Sequence, residues 1–268
     1  MERLTQTVSR LIGEEIIAAD QLTGGSISQA ARVQIADGCT LVAKISPVAA
    51  QEARMLLAMK DLGAPVPDVV AQQNDVLVLE DLGPGTALGD NHWQAMPLVL
   101  APLRQTGETR FGWHEDYRLA SVDVPNSRST SWIEFWRDHR LLCHAEHLPA
   151  DLARRAEALA TDLPNRIPGQ PPAALVHGDL WGGNIVAGAN GRIWLIDPCA
   201  YYGDREVDVA TLTVFDRPPQ AMFDALELDP DWQERLPIYR LWMWLIHVRL
   251  FGESYRPAAE SDFTKLGV

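Results

Sequence analysis

Apolar positions recur along this chain in two patterns, alternating or continuous runs near the N-terminus and helical spacing through most of the remainder. Leu4, Val8, Leu11, Ile12 and Ile16 return at three and four residues, which predicts an amphipathic helix. The small-residue stretch from Gln21 to Ala30 reads as a loop. Residues 31–36 and 40–45 read as strands joined at Asp37-Gly38, a hairpin pair. Glu52, Met55, Leu56, Met59 and Leu62 then mark a helix closed by Gly63. Pro65-Val66-Pro67 breaks the chain before a short buried strand at 76–79. That strand runs into Glu80-Asp81-Leu82-Gly83-Pro84-Gly85, a Gly/Pro connector where composition shifts.

Beyond the connector, residues 93–103, 131–147, 151–163, 219–226 and 231–251 carry helical periodicity, and the tail is polar. One region departs from this. Residues 175–208 read as loop, strand, turn and strand, with the apolar run Ile193-Trp194-Leu195-Ile196 preceded by Asn190-Gly191, a two-residue hairpin signal. The expected architecture is therefore α+β and two-lobed. A small antiparallel-sheet lobe (residues 1–82) is followed by a larger, mainly helical lobe (residues 83–268).

Composition narrows the partners. At 47% apolar and 22% charged, the 268 residues suit a globular chain with a large core. A net charge of −13 argues against nucleic acid, whose phosphates need a basic surface. Cys39, Cys143 and Cys199 are few and far apart, with neither a disulfide framework nor zinc spacing, which suits a reducing cytoplasm. Charged Arg3, Arg10, Glu14 and Glu15 leave no signal-peptide pattern. The apolar run 241–246 is far short of the roughly 20 residues a membrane span needs.

The candidate chemistry lies in the irregular region. His177-Gly178-Asp179 followed by Asn184 has the H-x-D-x-x-x-x-N spacing of a kinase catalytic loop, and Asp197 ends the next apolar run. Phosphoryl transfer needs one carboxylate to take the acceptor proton, and an amide and a second carboxylate to hold Mg²⁺. Upstream, Lys44 lies within a strand, and Glu52 follows eight residues later in a helix. Alone, Lys44 would be an ordinary strand lysine; with the catalytic-loop pattern downstream, the two read as the ion pair that sets a lysine on ATP phosphates. Gly24 and Gly25 with Ser26 and Ile27 match no phosphate-loop signature and by themselves read as a plain turn. His139, His144 and His147 share one helical stretch but lack a carboxylate or cysteine pattern, so they read as surface or core histidines.

With these residues in place, the chain resembles the fructosamine kinase (ketosamine-3-kinase) family, related in fold to protein kinases and aminoglycoside phosphotransferases. The likeness is carried by residues 22–33 with Lys44 and Glu52, by Phe111-Gly112-Trp113 with Asn126 and Trp132, and by His177-Gly-Asp-Leu-Trp-Gly-Gly-Asn184. It continues in Asp197-Pro-Cys-Ala-Tyr-Tyr-Gly-Asp-Arg-Glu-Val-Asp208 and in residues 245–252. The resemblance implies ATP- and Mg²⁺-dependent phosphorylation of a sugar 3-hydroxyl on a small ketosamine or a glycated lysine, leading to deglycation. It further implies Asp179 as base, Asn184 and Asp197 as Mg²⁺ ligands, and Lys44 with Glu52 as phosphate clamp. Gly24, Gly25, Ser26 and Ile27 would lie over the nucleotide, and Glu80, Asp81 and Leu82 would frame the adenine. Trp181, Tyr201, Asp204 and Arg205 are the candidates for the ketosamine side, although Asp204-Arg205-Glu206 reads equally as a structural ion-pair network. Three features depart from the family pattern: Leu103-Arg104 for Leu-His, Asp116-Tyr117 for Asp-Asn, and Asp216-Arg217-Pro218 for Gly-Gly-Phe. All three bear on acceptor choice. A kinase of another alcohol, aminoglycoside- or choline-like, is the rival reading, and a nucleotide-binding pseudokinase a more distant one.

Overall fold

The structure is a computed structural model that describes residues 2–22, 29–104 and 106–268. Helix α1 (Glu2–Ile12) ends at Gly13, whose φ of +75° turns the chain into strand β1 (Ile16–Leu22). Then come β2 (Gln29–Ile35), β3 (Thr40–Ile45), α2 (Ala49–Asp61), β4 (Val69–Gln73) and β5 (Val76–Glu80). The five strands form one antiparallel sheet in the order β1-β2-β3-β5-β4. Because side chains alternate across a strand, the sheet has two different faces. Ala31, Val33, Ala43, Val76 and Val78 pack with Leu4 and Val8 of α1 in a small core of their own. Leu77 and Leu79 point the other way and join α2 in the main core.

The expected N-terminal helix included Ile16, and 21–30 was expected to be loop; instead Ile16–Leu22 is β1. Strand β4 was likewise not foreseen. Both are edge strands, half exposed along their length, so neither carries the apolar signature of a central strand. The two hairpin signals do mark hairpins, but with three-residue loops rather than two. Residues 36–38 and 189–191 connect β2–β3 and the later strand pair Ile185–Ala187 and Ile193–Leu195, with Gly38 (φ +90°) and Gly191 (φ +79°) taking the left-handed position.

After the connector come α3 (Asp90–Leu100) and the hairpin β6 (Tyr117–Leu119) and β7 (Val122–Val124). Next is α4 (Trp132–Trp136), which passes into a π-helical turn, Arg137–Leu141, and a 3₁₀ turn, Leu142–His147. The regular helix expected over 131–147 thus changes pitch twice. Within it Arg140 is fully buried, stacked on the rings of Phe135, Tyr201 and Trp242, and donates to the carbonyls of Pro125 and His139. The chain continues through α5 (Ala150–Asp162), β8 (Ala173–Val176), β9 (Ile185–Ala187), β10 (Ile193–Leu195) and β11 (Tyr201–Asp204). It ends in α6 (Glu206–Phe215), α7 (Gln220–Asp224), α8 (Trp232–Phe251) and α9 (Arg256–Lys265). The polar-looking tail is α9, which buries Ala259 and Phe263, while Arg240 of α8 forks onto Asp262 at 2.8 Å through both nitrogens. Among the described residues no helix is long and apolar enough to cross a membrane.

Candidate active site

Strand β8 is buried along its whole length and delivers the chain into residues 177–184, which return as β9. This loop is fixed from below. Asp208, in the first turn of α6, accepts from the backbone N–H of His177 at 2.7 Å and of Gly178 at 2.9 Å. The His177 carbonyl accepts from Cys199 N–H at 2.9 Å, and His177 Nε2 meets the Ile196 carbonyl at 2.9 Å. Burial pushes the Asp208 carboxyl up to about 7 against those two N–H bonds, and holds His177 neutral with a pKa of about 4. Gly178 has φ +79°, and a Cβ there would lie 2.2 Å from the Cys199 carbonyl oxygen. No other residue fits that crossing.

With its backbone pinned on both sides, Asp179 projects into the cleft. Asn184, at the end of a 3₁₀ turn, donates its Nδ2 to the Asp179 carbonyl (2.8 Å) and to Asp179 Oδ2 (3.0 Å), and its own Oδ1 has no partner among the described residues. Desolvation pushes the Asp179 carboxyl up to about 7, opposed by the Asn184 bond and reinforced by Asp197 and Asp208. Asp197 follows β10 with φ +55°, a conformation rare outside glycine and tolerated by Asp, and it keeps 42% of its side chain exposed. Lys44 Nζ bridges Glu52 Oε1 at 2.7 Å and Asp197 Oδ1 at 2.6 Å. Burial would lower the Lys44 pKa, but the two carboxylates outweigh it and hold the ammonium charged.

Two cavities meet at this point. One, of about 420 Å³, lies between Val42 and Leu79 of the sheet and Val186 and Ile196 below, and is edged by residues 80–85. Its flat apolar walls and backbone edge suit a purine-sized ring. The Asp81 carboxylate is not free to face it. Arg32 holds that group at 2.6 and 2.9 Å and Gly83 N–H caps it at 3.0 Å, so the connector offers backbone groups there. The second cavity, of about 440 Å³, contains Asp179, Trp181 and Asn184 and is walled by Tyr117, Met243 and His247. Among the described residues the two cavities share only Lys44 and Asp197. A larger cavity of about 770 Å³ lies against α1, away from this set, and Asp75 is the one acid along it.

Of the residues singled out in the sequence, Lys44, Glu52, Asp179, Trp181, Asn184 and Asp197 are gathered in the second cavity, and Glu80, Asp81 and Leu82 edge the first. Gly24, Gly25, Ser26 and Ile27 lie outside the described residues. Three candidates for the acceptor side are not brought to it. Tyr201 is fully buried in the core, its ring under Arg140. Asp204 accepts from the Tyr239 hydroxyl at 2.8 Å, and burial pushes it up to about 6. Arg205 bonds the Glu227 carbonyl at 2.6 Å, and neighbouring Glu206 forks onto Arg235 with both bonds at 2.6 Å. The run 204–206 is thus the structural network, with Asp204 and Glu206 paired in the interior and Arg205 paired at the surface.

Sequence reasoning had placed Asp208 in the family motif, Asp216 among the departures and α8 as a helix, but had not tied any of them to the loop 177–184. Asp216 caps α6 and accepts from Gly182 N–H at 2.7 Å, so one helix holds the catalytic loop at both ends. Phe215 beside it meets the Trp181 indole edge-on at 5.2 Å and His247 of α8 at 5.3 Å. The acidic start of α6 and the aromatic-rich end of α8 were visible signals, but neither names its target without the fold.

The profile of the fructosamine kinase family matches residues 1–266. The chain belongs to that family. A Synechocystis protein assigned as a ketoamine kinase is 36% identical over 198 residues, which cover 69% of this chain and 65% of the relative. The chain thus aligns with about two thirds of the length of that relative. The ketoamine kinase assigned in Escherichia coli K12, YniA, is 29% identical over 284 residues, covering 97% of this chain and 98% of its own. In three dimensions the chain is similar to a candidate fructosamine-3-kinase from Thermobifida fusca, with TM-score 0.89, 25% identity, and coverage of 99% and 98%. The two-lobed kinase-like arrangement of sheet and helices is the fold of this family.

Proposed function

We propose that this fructosamine kinase family member transfers the γ-phosphoryl group of ATP to a sugar hydroxyl of a ketoamine. The observation that carries the reading is the pair of cavities that, among the described residues, meet only at Lys44 and Asp197, with Asp179 on one side and the connector backbone on the other. The adenine occupies the slot along residues 80–85, between a nucleotide lobe of residues 1–82 and a lobe of residues 83–268, and the ketoamine occupies the cavity that holds Asp179 and Trp181. Lys44, held by Glu52, pairs with the phosphates. Asp179 orients the acceptor hydroxyl in line and accepts its proton. The free Oδ1 of Asn184 and the exposed carboxylate of Asp197 are hard oxygen donors of the kind Mg²⁺ takes alongside water and phosphate oxygens. When bound, the ion neutralises charge on the phosphates.

The indole face of Trp181 suits the apolar face of a sugar. Transfer to the 3-hydroxyl has a chemical consequence. A phosphate at that carbon can leave from the 1,2-enaminol, and hydrolysis of the resulting imine frees the amine, which is a deglycation. The charge, −13, and the free cysteines fit a small-molecule enzyme of the cytoplasm.

The test is ADP release from Mg²⁺-ATP with ribulosyl-lysine, fructosyl-lysine, an aminoglycoside and choline as acceptors. Release with a ketoamine, phosphorylated at the 3-position by NMR, is expected. Release with another alcohol only would discard the ketoamine assignment. Asp179→Asn should fold and bind ATP yet lose at least about 10²-fold in turnover; near-wild-type turnover would remove Asp179 as base.

A further inference from the structure

Three buried tyrosines surround the catalytic loop, and their hydroxyls have different fates. Tyr239 donates to Asp204 at 2.8 Å. The Tyr201 oxygen is sealed in the core. Tyr117, the first residue of β6, is 8% exposed, lines the same cavity as Asp179, Asn184, Asp197 and Trp181, and is not among the oxygens sealed from solvent. Its hydroxyl has no hydrogen-bond partner among the described residues.

The ring is held in place from behind. Strand β6 pairs with β7 in the register Tyr117↔Val124, and Asp116 Oδ1 accepts from Asn126 N–H at 2.8 Å. A hydroxyl with no protein partner on a residue that lines a cavity is a donor that a ligand entering the cavity can satisfy in place of water. Burial raises the phenol pKa well above its usual value, and Glu52, Asp197 and Asp179 raise it further, so the group stays protonated and donates. It lies on the acceptor cavity and not along the connector slot. The complementary partner is thus an oxygen of the acceptor.

We propose that Tyr117 is a specificity residue of the acceptor cavity, its hydroxyl donating a hydrogen bond to a sugar oxygen of the polyhydroxylated substrate held against Asp179. This rests on the reading of that cavity as the acceptor site. A site built around such a donor discriminates against an acceptor lacking the matching oxygen.

The experiment compares the full-length wild type with Tyr117→Phe, which removes one oxygen and keeps the packing. ADP release is measured with ribulosyl-lysine, fructosyl-lysine, their mono-deoxy analogues, an aminoglycoside and choline. The variant should lose about 10-fold in kcat/KM for the acceptor, at unchanged ATP KM and unfolding midpoint. One deoxy analogue should be discriminated against by the wild type and not by the variant, a pattern a purely structural role does not produce. Equal acceptor kinetics, or a rise confined to the ATP KM, overturns the proposal. If only a non-ketoamine acceptor is turned over, the proposed function falls, and the same comparison on that acceptor decides Tyr117 by itself. Silence of the wild type with every acceptor overturns both.

Discussion

Replacing Gly178 by alanine is a sharp test of how this active site is held. The residue has φ +79°, and an added Cβ would lie 2.2 Å from the Cys199 carbonyl oxygen, 3.0 Å from its carbon and 3.1 Å from the Tyr201 ring. The left-handed backbone alone costs an alanine about 1–2 kcal/mol. Relieving the contact requires the loop and the 197–200 segment to separate. That movement strains the Cys199 N–H to His177 carbonyl bond (2.9 Å) and the two N–H bonds to Asp208, at 2.7 and 2.9 Å. Leaving one buried backbone group unpaired costs about 1–3 kcal/mol. The total is on the order of 4 kcal/mol, a large part of the roughly 5–15 kcal/mol that holds a domain together. For a chain of this size the unfolding midpoint should fall by on the order of 10 °C. Gly191→Ala is the control, since it has the same φ of +79° with only the Asn91 side chain near. It should lose the backbone share alone, about 1–2 kcal/mol. Thermal unfolding followed by circular dichroism, with ADP release alongside, reads both. If Gly178→Ala unfolds no earlier than Gly191→Ala and turns over normally, the crossing of the two segments is not what fixes Asp179.

Glu52→Gln leaves Lys44 paired with Asp197 alone, and should weaken ATP binding by about tenfold in a nucleotide titration; unchanged affinity would mean that Glu52 does not position the lysine. His144 is sealed against Arg249 and Trp242, and burial first, then the neighbouring arginines, lower its pKa to about 3. The unfolded chain then binds a proton at His144 that the folded chain refuses. Stability from this residue is therefore present above about pH 6.5 and lost as pH falls toward 3. Between pH 6 and 4 the wild type should lose about 1.4 kcal/mol per pH unit more than His144→Asn in urea unfolding, and parallel slopes would refute a neutral buried histidine.

Legibility from sequence followed how local each feature is. Lys44, Glu52, Asp179, Asn184 and Asp197, which the fold gathers in one cavity, could be picked out from spacing because the phosphoryl transfer proposed for them would demand fixed residue types in a fixed order. The central strands β2, β3 and β5 could be read because each buries apolar residues in the sheet's cores, so the apolar pattern is strong. Edge strands β1 and β4 could not, since exposure on one side erases that pattern. The pitch changes after α4 were also hidden, because helical periodicity does not reveal a buried arginine stacked on three rings.

By itself, then, the sequence determined the family, the central strands, most of the helices and the set of residues that the fold gathers in one cavity and that we propose for phosphoryl transfer, since each is encoded in neighbouring residues or in one short motif. Only the tertiary structure decided which other polar groups reach the cleft. Tyr201, Asp204 and Arg205 stand in the most specific motif of the chain, yet Tyr201 and Asp204 are buried in the core and Arg205 is bonded to the Glu227 carbonyl at the surface. Tyr117, Asp216 and His247, distant in sequence, come to the catalytic loop. The physical reason is that a side chain's partners are set by the packing of β6, α6 and α8 around residues 177–184, and that packing brings together residues far apart in sequence, such as Tyr117 and His247, 130 positions apart.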